Sequence, residues 1–130
     1  MKRVLEEWAQ EALSSLGLKG VELSIYITDD SEIQELNKVY RGKDSPTDVL
    51  SFPINEIFNG YKILGDIVIS QDTAERQAKE FGHTLEEEVR RLLVHGIIHL
   101  LGYDHEKGGE EEKRFYSLES YVLSRLSNAL

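Results

Sequence analysis

At 130 residues the chain has the length of one domain, and its 15 Lys and Arg against 24 Asp and Glu leave a formal charge of −9. That balance repels polyanions at long range and lacks the usual nucleic-acid footprint, so composition alone argues against RNA or DNA. Cysteine is absent, which excludes disulfides and thiolate metal sites, leaves any metal to His, carboxylate or main-chain oxygen, and suits a reducing cytosol.

The opening MKRVLEEWAQEALSS spaces Val4, Leu5, Trp8, Ala12 and Leu16 as an amphipathic helix, closed by Gly17 and Gly20. Acidic and polar residues interrupt its apolar run, unlike a signal peptide. Val21, Leu23, Ile25 and Ile27 alternate with Glu22, Ser24, Tyr26 and Thr28, the period of a strand with one buried face. Asp29, Asp30 and Ser31 can cap a helix that turns Ile33, Leu36 and Tyr40 inward and ends near Arg41-Gly42. After the polar loop KDSPTD, VLSFPI and KILGDIVIS read as two strands of a hairpin joined by NEIFNGY, and Pro53 predicts that the first lies at a sheet edge.

Asp72 with Glu75 fits a capping box for a helix ending at Gly82, and Thr84 with Glu87 fits another. His83, before that second cap and without a spaced partner, reads as a surface residue. Glu86, Glu87, Glu88, Arg90 and Arg91 give the next helix wet first turns before LLVHGIIHLL enters the core. The nearly apolar stretch Leu92 to Leu101 is about half the length of a membrane span. A last helix runs from Glu110 to about Leu126, with Phe115, Leu118, Val122 and Leu126 at helical spacing. The expected architecture is α+β: one domain over residues 1–130, a small mixed sheet packed with helices, and one of those helices carrying a zincin-like metal site.

That site rests on HGIIHLLGYDH. His95 and His99 are four apart, so on a helix both imidazoles stack on one face. Their surroundings are apolar, and two buried rings share a metal more naturally than each finds its own partner. A continued helix would carry His105 roughly 9 Å beyond His99, so the chain must turn back, and Gly102 stands where a left-handed residue closes a helix. The spacing His95-x3-His99-x2-Gly102-x2-His105 matches the metzincin zinc signature at each ligand and at the glycine, whereas Gly96 replaces the glutamate that serves those peptidases as general base. Three imidazoles with an open fourth position describe a catalytic rather than a structural zinc, and zinc brings its bound water towards a pKa of roughly 7 without a strong auxiliary base. Asp104 is either an acceptor for a ligand imidazole or part of the turn.

HGIIHLLGYDH, taken with NKVYRGKDSPTDVLSFP and LGDIVIS, resembles the YbeY family of bacterial endoribonucleases, with the three motifs in the family's order from about Ser31 to His105. The resemblance implies zinc-dependent cleavage of single-stranded RNA in the cytoplasm, in maturation of the 16S ribosomal RNA 3′ end and in ribosome quality control. It implies one zinc held by His95, His99 and His105, a functional Arg41, and the ribosomal small subunit with a possible ribosomal or assembly-factor protein as partner. DNA and membrane are not expected partners. Arg41 suits a phosphate because its planar fork gives two hydrogen bonds and keeps its charge; with Lys38 and Lys43 it can form a local basic patch. Tyr40, Phe52, Tyr61 and Tyr103 are candidates for base stacking, and Asp48 is a turn residue that can face the site. Two rivals stand beside this reading: a small metallopeptidase, and a non-catalytic ribosome-associated protein with structural zinc.

Overall fold

The computed structural model describes residues 2–127. In chain order the elements are α1 (Lys2–Ser15), β1 (Val21–Thr28), α2 (Asp30–Arg41), β2 (Val49–Phe58), β3 (Tyr61–Ser70), α3 (Gln71–Phe81), α4 (Leu85–Leu100) and α5 (Gly109–Arg125). The sheet has the order β1-β3-β2, with β1 parallel and β2 antiparallel to β3, so the expected mixed sheet and the edge position of Pro53 both hold.

The hairpin is longer than the sequence suggested. NEIF continues β2 instead of forming a loop, and only Asn59 and Gly60 turn, with φ of 50° and 81°. Positive φ at both central residues matches the right-handed twist of the flanking strands. Register shifts between Pro53 and Glu56, where Pro has no N–H to offer the ladder. Gly65, opposite Pro53, runs so close to the Phe52 carbonyl and the Leu100 side chain that a Cβ has no room.

Alternation along β3 divides the interior. Ile67 and Ile69 join Leu92, Leu93, Val94, Ile97 and Ile98 of α4, with Trp8 of α1 and Phe115 and Val122 of α5. Val68 instead meets Ile33 of α2 and Leu50 of β2 in a smaller cluster. The sheet therefore carries α2 on one face and the bundle around α4 on the other. α4 is the central element, packed against β2, β3, α1, α3 and α5.

Local chemistry sets the helix ends. Asp29 caps α2 through the Glu32 N–H, and Gly42 (φ 70°) closes it immediately after Arg41. The buried Asn37 donates from Nδ2 to the Ser45 carbonyl at 2.9 Å, tying α2 to the KDSPTD loop. The Thr84–Glu87 capping box of α4 forms as expected. The proposed Asp72–Glu75 box does not: α3 begins earlier, with Ser70 accepting from the Thr73 N–H, while Asp72 Oδ2 accepts from the Asp30 N–H at the start of α2. Tyr40 is 65% exposed and not inward, because the α2 core face ends with Ile33, Leu36 and Asn37; it packs edge-on to Phe52.

Candidate metal centre and cleft

His95 and His99 occupy successive turns of α4, and the chain turns back directly after them. Gly102 (φ 98°) donates to the His99 carbonyl at 2.9 Å, and Tyr103 donates to the Ile98 carbonyl at 3.3 Å, the paired bonds of a glycine-closed helix end. Asp104 Oδ1 then accepts from the Glu106 N–H at 2.8 Å, so Asp104 shapes the turn that returns His105. As a result, His95, His99 and His105 each offer a ligand atom within 4.8 Å of the others, and their ring centroids are 4.7 to 5.0 Å apart.

The ring environment favours ligation. Burial, followed by the facing His95 and His105, holds the His99 pKa below its ordinary value, which favours the neutral form that binds a metal. His95 Nδ1 meets Glu119 Oε2 at 2.8 Å, leaving Nε2 for another partner. His105 Nδ1 is buried and has no hydrogen-bond partner among the described residues. A cation shared by the three rings fits this donor set, and among the described residues the cluster contains no fourth protein ligand.

Two features of the centre were not assigned to it from the sequence. Phe115 was placed in the core, but its ring also lies 4.7, 4.8 and 5.0 Å from the three imidazoles and forms an apolar floor. Glu119 was missed. The visible clue was its place on the buried face of α5, four residues after Phe115 and three before Val122.

Gly96 faces the sheet. A Cβ there would lie 3.0 Å from Ile67 Cγ2 and 3.2 Å from Ser51 Oγ, so a side chain at this position would have to displace both neighbours by a few tenths of an ångström. His83 and Glu88 correct two expectations. Glu88 is fully buried, and His83 is half-buried with Nε2 2.8 Å from Glu88 Oε1. Arg91 closes the cluster: its Nε donates to Glu88 Oε1 at 2.9 Å and its terminal nitrogen to Oε2 at 2.6 Å. Donation to Glu88 raises the Arg91 pKa above its ordinary value, against the opposing effect of burial. Pairing is what allows a carboxylate to be buried so near a helix start.

A cleft of about 840 Å³ opens over the histidines. Its walls are the outer side of β2 and the preceding Thr47 and Asp48, the end of α2 with Tyr40 and Arg41, α3 with Gln77 and Phe81, and Tyr116 of α5. Arg41 and the three imidazoles therefore share one cavity. Arg91 lines it too, whereas Lys38 and Lys43 do not, so the expected basic patch reduces to two arginines. Tyr40, Phe52 and Tyr103 line the cleft; Tyr61 sits at the hairpin turn, away from it. Asp48 serves both suggested roles, accepting from its neighbour's N–H at 2.7 Å and facing the cleft.

The model of the family described as endoribonuclease YbeY matches residues 1–127. The chain belongs to the YbeY family. That is a family of endoribonucleases, hydrolases that act on RNA, so the expectation of a hydrolase holds at that level and the argument from net charge against RNA does not. Among relatives, the endoribonuclease YbeY of Aquifex aeolicus is 75% identical, covering 99% of this chain and 86% of its own. That of Sulfurihydrogenibium sp. is 50% identical, with coverage of 97% and 84%. The solution structure of a Thermotoga maritima protein superposes with a TM-score of 0.60 at 30% identity, covering 95% of this chain and 83% of that one.

Proposed function

We propose that this YbeY chain acts as one domain, a zinc-dependent endoribonuclease that cuts single-stranded RNA in maturation of the 16S ribosomal RNA 3′ end and in ribosome quality control. The observation that carries the reading is the convergence of His95, His99 and His105 at the base of a cleft also lined by Arg41. The chain would work in the cytoplasm on the ribosomal small subunit; among the described residues no helix is long and apolar enough to cross a membrane. Its charge of −9 favours a ribosomal or assembly-factor protein that positions the RNA, because unaided association with a polyanion is opposed at long range.

In this mechanism His95, His99 and His105 hold one zinc ion. When bound, zinc supplies Lewis-acid polarisation of a phosphate oxygen and lowers the pKa of a coordinated water. Burial already favours the neutral, metal-binding form of His99. Arg41 binds the phosphate through two N–H groups and stabilises charge gathering on its oxygens. Phe115 excludes water from behind the rings.

Metal analysis of tag-free protein, then RNA cleavage with and without chelator, tests the reading. His99→Ala should remove metal binding and cleavage together while circular dichroism stays unchanged; full cleavage by that folded variant would overturn the proposal. The glycine at position 96, where those peptidases carry their glutamate base, speaks against the peptidase rival, and the three-member ligand set among the described residues against an enclosed structural zinc.

A further inference from the structure

Glu119 is a carboxylate set in an apolar strip. Phe115 and Val122, about one turn away on either side of it along α5, are fully buried, and Glu119 itself is only 7% exposed. Withdrawing an ionised carboxylate from water is costly unless it is paired, and its hydrogen bond here is to His95 Nδ1 at 2.8 Å. Among the described residues no carboxylate hydrogen-bonds to either of the other two rings, and His105 Nδ1 has no partner there.

We infer that Glu119 is a positioning residue of the metal centre, holding His95 as the Nδ1–H tautomer so that Nε2 is the ligating nitrogen. A neutral imidazole carries its proton on one nitrogen only, and an acceptor on Nδ1 selects which nitrogen keeps a free lone pair. The carboxylate also offsets part of the cation's charge. The consequence reaches beyond one hydrogen bond: α5, which carries none of the proposed ligands, becomes a functional part of the site. This inference rests on the metal reading of the three histidines.

The experiment compares metal-stripped wild type with Glu119→Ala, with Glu119→Met, which fills the volume without an acceptor, and with Glu119→Gln, which keeps an acceptor but not the charge. Zinc affinity is measured against a competing chelator, and the His95 tautomer by imidazole nitrogen NMR of the metal-free protein. Alanine and methionine should weaken zinc binding about 10–100-fold and shift His95 towards Nε2–H; glutamine should keep the tautomer and lose less affinity. The tautomer is a readout that packing alone would not move, and methionine serves if alanine fails to fold. An unmoved tautomer, or affinity within about twofold of wild type, in a folded alanine or methionine variant overturns the role of Glu119. Absence of zinc binding in wild type overturns the metal reading itself, and this inference with it.

Discussion

Gly96 shows how one side chain separates this centre from the peptidases whose ligand spacing it shares. The position packs onto Ile67 and Ser51, so a glutamate introduced there has to displace both. Gly96→Glu should destabilise the fold by about 1–3 kcal/mol or more through overpacking, read as a lowered denaturation midpoint without any gain of peptidase activity. Arg41 calls for a different measurement, because it ends α2 in the open and contributes little to packing. Arg41→Ala should weaken RNA binding across sequences and reduce the slope of log affinity against log salt by about 1, with thermal stability unchanged; an unaltered slope would remove Arg41 from the phosphate contacts. Phe115 combines both roles. Phe115→Ala should cost about 3–5 kcal/mol and loosen all three rings, visible as weaker zinc affinity in whatever fraction remains folded.

Among the elements, α4 is held at its start by the Thr84–Glu87 box and at its end by Gly102. Thr84→Ala should cost about 1 kcal/mol without affecting the histidines, which lie beyond the first turns. The junction of α2, β3 and α3 depends on Asp30, whose carboxylate accepts from Ser70, Thr73 and Arg76. Burial pushes the Asp30 pKa up, but those hydrogen bonds and the Arg76 charge outweigh it and hold the group below its ordinary 3.8. A depressed folded-state pKa stabilises the fold above the unfolded value and ceases to do so as pH falls through the folded value. Asp30→Asn should therefore lower the melting temperature at neutral pH, and the difference from wild type should vanish in acid well below pH 3.8. A gap that persists there would assign the effect to shape rather than charge.

For the molecule as a whole, a metal held by the three histidines would link segments that the fold otherwise joins through packing. His105 lies in the turn between α4 and α5, and Glu119 fastens α5 to His95, so a bound ion should couple local order to global stability. Zinc at 100 times its dissociation constant should add about 2.7 kcal/mol to unfolding, measured as a rise in melting temperature that chelator reverses. An unchanged melting temperature under saturating zinc would mean that the ion binds folded and unfolded chains alike.

The helices and strands, the edge position of β2 and the grouping of the three histidines were legible because each has a local pattern. Histidines on successive turns, a glycine at the helix close and alternating Val21–Thr28 are all short-range in sequence. Misreadings fell where a long-range partner overrides local tendency. Glu88 looked like a wet first-turn charge, but Arg91 and His83 let it be buried. Tyr40 continued a helical spacing, but the core face of α2 stops before it. The strand order β1-β3-β2, the shared cleft that brings Arg41 to the histidines, and the carboxylate of Glu119 behind His95 were decided only in three dimensions. The sequence by itself determined which residues can hold a metal, because ligand chemistry and helix period are local; tertiary structure decided what supports and surrounds them, because burial and pairing depend on segments far apart in the chain.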